Sequence, residues 1–144
     1  MKSLLTIDSS VFIAALRSAE SLHDECRRLL EQVVEGRYEV FVPYSVLVEV
    51  VAAICRRTGS RQFAETVQAQ LLQIPSIHFL DLVRSRAVGA CELAVVSGLR
   101  GMDALVLQVA HEMKATLVTL DDEIVKRVSG LLTARSVSAL VRHP

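Results

Sequence analysis

The chain has no tryptophan, and aromatic residues make up only 4% of its 144 residues. Its core must therefore be built from valine, leucine, isoleucine and alanine. The same scarcity removes the aromatic platforms on which single-stranded bases usually stack. No apolar run approaches the roughly 20 residues that span a bilayer. The longest, around VLV and VVAAIC, are separated by Glu49. The opening residues MKSLLTIDSS hold one lysine and a short apolar stretch that Asp8 ends, without the longer apolar region and small-residue cleavage site of a secretory signal. A cytoplasmic protein with no membrane association is expected. Cys26, Cys55 and Cys91 are odd in number, widely spaced and form no CxxC pair, which excludes a zinc knuckle and a disulfide framework. Each lies in an apolar helical context, where a free cysteine behaves as a small hydrophobe, so all three are expected in the core.

Charge of one sign is also missing: 16 basic residues balance 16 acidic ones. A general nucleic-acid coat carries a basic excess, so any phosphate ligand here needs a local arrangement of cations. Arginine outnumbers lysine, including the pairs Arg27-Arg28 and Arg56-Arg57. That bias suits bidentate phosphate contacts, although an arginine-rich genome produces it too. No GxxxxGK[ST] or GxGxxG loop is present, which argues against a phosphate-loop nucleotide site, and no GxSxG elbow marks a serine hydrolase. His111-Glu112 begins like HExxH, but position 115 is alanine and the second zinc ligand is absent. His23, His78, His111 and His143 show no ligand spacing and read as surface or satisfied helix positions.

What is present is a 51% hydrophobic chain with mean hydropathy +0.40, long enough to bury about two-thirds of its unfolded surface as one domain spanning 1–144. No repeat or Pro/Gly-rich linker divides it. Strand-like segments at 3–8, 38–43, 77–82, 115–121 and 131–135 alternate with helical ones. The helices cover the stretch after Asp8, then 20–35, 43–57, 60–73, 83–97, the segment opened by GMDAL, 122–130 and the residues after 135. Ser9 or Ser10 is placed to cap the first helix, and Pro43 suits the first turn of the third. The alternation indicates an α/β fold with a mainly parallel central sheet flanked by helices. Ligands of such sheets collect beyond the carboxyl ends of the strands, at the topological switch point.

The acidic residues fall where that rule matters. Asp8 ends the first strand segment, Asp121 ends ATLVTLD, and Asp103 opens the helix of GMDAL. Glu49 stands among Val46, Val50 and Ala53 on one helix face, where a carboxylate is costly unless it reaches water or a cation. It lies two turns into the helix that leaves the second strand and can reach the same rim. Each acid alone has an ordinary reading: a cap for Asp8, a first-turn acid for Asp103, a turn residue for Asp121, a wet stripe for Glu49. Their joint arrival at one rim is harder to explain that way. Gathered carboxylates repel unless a cation neutralises them. Magnesium or manganese, hard ions that retain water, are the natural choice and point to phosphoryl chemistry. Ser10 and Thr119, each two residues from an acid, suit hydrogen bonding to ligating oxygens.

In order and interval, IDSSVFIAAL, VPYSVLVEVV, RGMDALVLQVA and ATLVTLDDEI resemble the four motifs of PIN-domain nucleases, nearest to the VapC-like toxins of toxin–antitoxin operons. The resemblance covers essentially the whole chain, and its specificity lies in the ordered set. It implies an acidic metal site of Asp8, Glu49, Asp103 and Asp121, with Ser10 and Thr119 as polar helpers. It further implies a Mg2+- or Mn2+-dependent endoribonuclease, dimeric through helices around 43–73 and held inactive by a cognate antitoxin protein. Two features depart from the family pattern. Serine follows the first aspartate where threonine or asparagine is common, which keeps a hydroxyl. Asp121 and Asp122 are adjacent, and the TxD spacing selects Asp121, leaving Asp122 to the cap or first turn of the next helix. Two other readings compete. A non-catalytic PIN-fold module that binds RNA or protein would be marked by loss of a site acid, and none is lost. A receiver-like phosphoacceptor, with Asp81 phosphorylated and Thr119 as switch hydroxyl, requires an acidic pair after the first strand and a late lysine. The chain has Asp8-Ser9-Ser10 and Ala134-Arg135 instead.

Overall fold

A computed structural model describes residues 1–142. In chain order the elements are β1 (Ser3–Ile7), α1 (Ser9–Leu16), α2 (His23–Val34), β2 (Tyr38–Pro43), α3 (Tyr44–Thr58), α4 (Arg61–Gln73), β3 (Ile77–Leu80), α5 (Arg84–Ser97), α6 (Gly101–Met113), β4 (Thr116–Val118), α7 (Asp122–Val128), β5 (Ala134–Arg135) and α8 (Val137–Arg142). The five strands form one sheet in the order β3-β2-β1-β4-β5, and every pairing is parallel. The α/β expectation therefore holds, with the sheet parallel throughout.

The sheet order follows from the strands' composition. β1 is central, flanked by β2 and β4, and its SLLTI run buries Leu5, Thr6 and Ile7 consecutively, as a strand covered on both faces requires. The one buried hydroxyl in that run is satisfied: Thr6 Oγ1 donates to the Phe41 carbonyl of β2 at 2.8 Å. Leu5, Ile7, Val40, Val42, Leu117 and Val118 meet Phe12, Leu29, Val50, Ile54 and Leu107 from the helices in one core, which needs no tryptophan. α6 packs on β1 and β2, and α5 packs on α6. That helix pair approaches closely at Gly89, where an added Cβ would lie 3.3 Å from Gln108 Cγ.

Several boundaries differ from those read in the sequence, each for a local reason. α2 begins at His23, because Arg17 and Glu20 pair at 2.7 Å in the preceding loop and Leu22 adopts a left-handed φ of 62°. Asp8 caps α1 and the two serines are its first helical residues; Pro43 ends β2 and occupies the cap position of α3. β4 stops at Val118, since the next residue, Thr119, uses its hydroxyl to accept the Asp121 N–H at 3.1 Å and turns the chain out of the sheet. Leu131 and Leu132 fold back on the Val128 carbonyl, so β5 has only two residues. His143 and Pro144, read as the end of the last helix, lie outside the described residues.

The cysteine expectation needs correction. Cys26 is buried, and burial together with the charge of Glu25 pushes its thiol up to about 11. Cys55 is half-buried and Cys91 is exposed on α5. A helix that is apolar on several faces cannot bury all of them, so Cys91 shares the outer face of α5 with exposed Val88 and Val95. Among the described residues, no single helix is long and apolar enough to cross a membrane; α5 and α6 reach that length only as a pair bent by 109°.

Candidate functional site

β1 connects onward to β2 on one side and pairs with the late strand β4 on the other, so the switch point of the sheet lies between β1 and β4. Asp8 follows β1 at this point, and its N–H donates to the Val118 carbonyl of β4 at 2.9 Å. Its side chain is 8% exposed and tightly held. The Ser9 N–H donates to Oδ1 at 2.8 Å, while the Ser10 and Thr119 hydroxyls both donate to Oδ2 at 3.0 Å. A carboxylate offers about four acceptor positions; three are filled from within, leaving one on Oδ1. Thr119, only 3% exposed, also accepts the Asp121 N–H, and Ser10 accepts the Leu120 N–H at 3.4 Å. Asp8 is thus both a helix cap and an oriented acid tied to the far end of the sequence.

The other predicted acids stand around it. Glu49 occupies the second turn of α3 and is half-buried. Neither it nor Asp103, in the first turn of α6, makes a hydrogen bond or ion pair among the described residues. Burial pushes the Glu49 carboxyl above its ordinary value, with the charges of Asp8 and Asp103 adding to the effect. Asp103 is raised by burial, then by Asp8 and Asp121, against an opposing pull from Arg100. These mutual influences bring Asp8, Glu49, Asp103 and Asp121 into one electrostatic neighbourhood. Asp121 does not end a strand, as its spacing indicated. It is the cap of α7: its Oδ1 accepts the N–H groups of Glu123 at 2.9 Å and Ile124 at 3.4 Å, and Asp122 is the first helical residue. Asp81 lies beyond edge strand β3, two strands from β1, and Thr119 bonds to Asp8, so the receiver-like pairing of Asp81 with Thr119 is not formed.

Three clefts meet at these acids. One of about 550 Å³ runs along α3, with Ser10, Glu49, Ala52, Ala53 and Arg56 in its walls. A second, about 740 Å³, lies between α5 and α6 and shares Glu49 with the first. The third, about 380 Å³, lies between α6 and α7 and shares Asp103 and Arg100 with the second while adding Asp121 and Arg127. Sequence reading missed Arg100 and noted Arg56 only as one of a pair suited to phosphate contacts, without placing it near the acids. The signal for both was spacing: Arg56 lies two turns beyond Glu49 on the same helix, and Arg100 one turn before Asp103.

No three acidic, histidine or cysteine side chains among the described residues stand close enough to enclose an ion. The donor set still has the chemistry of a hard cation site: carboxylates only, beside open clefts with room for retained water. None of the four acids takes part in an ion pair among the described residues, and the Arg100 charge offsets the repulsion at Asp103 only in part.

The fold has close counterparts among solved structures. VapC20 of Mycobacterium tuberculosis, described as a toxin that cleaves the sarcin–ricin loop, superposes with a TM-score of 0.72 at 18% identity, covering 91% of this chain and 98% of its own. VapBC2 of Rickettsia felis, solved with a DNA fragment from its promoter, gives 0.69 at 17% identity, covering 92% and 98%. FitAcB of Neisseria gonorrhoeae gives 0.70 at 12% identity, covering 93% and 98%. At these identities the likeness concerns the fold. No curated protein matches the sequence. The model of the PIN domain family, however, matches residues 5–131, a span that holds all four acids and both hydroxyls around Asp8. The chain belongs to the PIN domain family.

Proposed function

We propose that this protein is a magnesium- or manganese-dependent endoribonuclease, the toxin of a toxin–antitoxin pair. The observation that supports it most is the crowding of Glu49 and Asp103, neither in an ion pair among the described residues, around Asp8, which is oriented by three internal donors at the switch point. Proteins hold like charges together when a cation is to be bound there.

Asp8, Glu49, Asp103 and Asp121 would hold the ion, which when bound supplies an activated water and neutralises charge on the phosphate being cut. Asp8 presents its unfilled Oδ1 position while Ser10 and Thr119 fix Oδ2. Asp121 presents Oδ2, its Oδ1 being committed to the cap of α7. Glu49, raised by burial and then by the charges of Asp8 and Asp103, faces both the α3 cleft and the cleft between α5 and α6. Retention of all four acids favours this reading over a non-catalytic PIN-fold module.

The partners follow from the same reading. Similar structures include toxin–antitoxin complexes, and an antitoxin protein is proposed as the inhibitor here. A homodimer in the cytoplasm is proposed as the free form. Exposed apolar side chains available for such contacts lie on α3 and α4 (Val48, Phe63, Leu72) and on α5 (Val88, Val95, Val96). The test is cleavage of a mixed RNA pool with magnesium or manganese, repeated with chelator and with Asp103→Asn. Cleavage that needs the metal and is lost in a folded Asp103→Asn protein supports the reading. Equal metal-induced stabilisation of wild type and variant would overturn the site.

A further inference from the structure

Along α3, Glu49, Ala52, Ala53 and Arg56 follow one another at the i, i+3, i+4 and i+7 positions and all line the first cleft. The two alanines leave the surface between the acid and the arginine low, so an extended chain can lie close to the helix. Seven residues of helix rise about 10 Å, so along an extended chain Arg56 stands within a few phosphates of Glu49. Arg100 stands at the start of α6, one turn before Asp103, and lines both remaining clefts but not the α3 cleft.

These two arginines differ from their neighbours in the clefts. Arg57 is tied to Glu20 at 2.8 Å, and Arg127 is tied to Glu123 at 3.1 Å and to the Gly98 carbonyl at 3.2 Å. Arg56 and Arg100 are exposed and, among the described residues, enter no ion pair and no side-chain hydrogen bond. A polyanion approaching four carboxylates on a protein of zero net charge needs cations where its own phosphates pass. Arg56 lines the cleft that reaches Glu49 along α3, and Arg100, whose charge also acts on Asp103, lines the two clefts that reach Asp103.

Resting on the nuclease reading above, we propose that Arg56 and Arg100 grip the phosphates on either side of the one that is cut. A single RNA strand then runs along the α3 cleft, over the acids, and into the cleft between α6 and α7. The arginines are positioning residues that select an extended strand, because a folded duplex cannot follow both clefts at once. Small walls and scarce aromatics leave the grip on the backbone and not on the bases.

The test is steady-state cleavage of a short single-stranded RNA by wild type, Arg56→Ala, Arg100→Ala and Arg28→Ala, a control exposed on α2 away from the clefts. Each cleft variant should lose about ten-fold in kcat/KM, chiefly through KM, as expected for one charge-assisted contact. Its salt dependence should flatten by about 0.7 in logarithmic slope, the value for one phosphate contact on a single strand. Substrates carrying one uncharged methylphosphonate should then locate the contacts. Neutralising one phosphate on one side of the cut should cost wild type but not Arg56→Ala, and one on the opposite side should cost wild type but not Arg100→Ala. Unchanged kcat/KM in both cleft variants, or sensitivity lost on the same side in both, overturns the proposal while leaving the nuclease reading intact. Loss of antitoxin binding with RNA kinetics unchanged overturns it too, by assigning the arginines to a protein partner. A wild type that cuts no RNA in either metal overturns the nuclease reading and this proposal with it.

Discussion

Replacing Thr119 by valine keeps the shape of a side chain that is 3% exposed while removing a hydroxyl with two partners. One lost bond is donated to a buried carboxylate, and bonds to charged groups contribute about 1.5–3 kcal/mol. The other is accepted from the Asp121 N–H and contributes about 1 kcal/mol. Together they give a destabilisation of about 3 kcal/mol. For 144 residues, an unfolding entropy of about 2.1 cal/mol/K per residue gives about 0.3 kcal/mol/K, so Tm should fall by about 10 °C. Thr119→Ser keeps the hydroxyl and should recover most of that loss. Function should suffer more than stability, because the hydroxyl sets both Asp8 Oδ2 and the turn that presents Asp121. Loss of a partner that orients a ligating acid typically costs 10- to 100-fold. Calorimetry of the metal-free protein and RNA cleavage at a temperature where all three proteins are folded would measure the two effects. A valine variant that melts and cleaves like wild type would refute the claim that Thr119 joins the two ends of the chain at the site.

Glu49→Gln should raise the melting temperature of the metal-free protein, by removing a charge that Asp8 and Asp103 repel, and should abolish most cleavage; undiminished cleavage would return Glu49 to an ordinary half-buried position. The raised carboxyls of Glu49 and Asp103 release their protons at lower pH in the unfolded chain than in the folded one. Their contribution is therefore complete below the unfolded values and is lost as pH rises through the folded ones. Urea midpoints of chelated wild type should fall relative to a Glu49→Gln/Asp103→Asn variant as pH rises from the ordinary carboxylate range, and a parallel pH dependence would reject the coupling. Light scattering at high micromolar concentration should give the mass of a dimer, and a monomeric mass would count against assembly through the exposed valines and leucines.

The parallel sheet was legible because its strands read as short apolar runs separated by helical periods, and the edge position of β3 does not change that pattern. Asp8, Glu49 and Asp103 were placed by their offsets from strand ends and helix starts, offsets that survive small errors in boundaries. Asp121 was misplaced by three residues of strand that do not form. Whether a threonine continues a ladder or bends out of it depends on what its hydroxyl meets, and Thr119 meets Asp8, a residue 111 positions away. The place of Arg56 and Arg100 beside the acids stayed hidden for a related reason. A free arginine and one tied to an acid look alike until every acid has been assigned its partner. Cys91 was misjudged because periodicity shows which faces of α5 are apolar and not which of them another element covers.

The hydrogen bonds that join Asp8 to Ser10 and Thr119 also order events in time. The acids of the proposed site stand at positions 8, 49, 103 and 121, and β4 must lie beside β1 before the last of them can face the first. At about 5–20 residues per second of synthesis, roughly 6–23 seconds pass between the translation of Asp8 and that of Asp121. For nearly all of that interval the growing chain has its central strand and Ser10 but lacks Thr119, the second donor to Asp8 Oδ2. On the proposed reading, no fragment truncated before Thr119 holds the full set of acids, so competence would arrive in a single late step of synthesis.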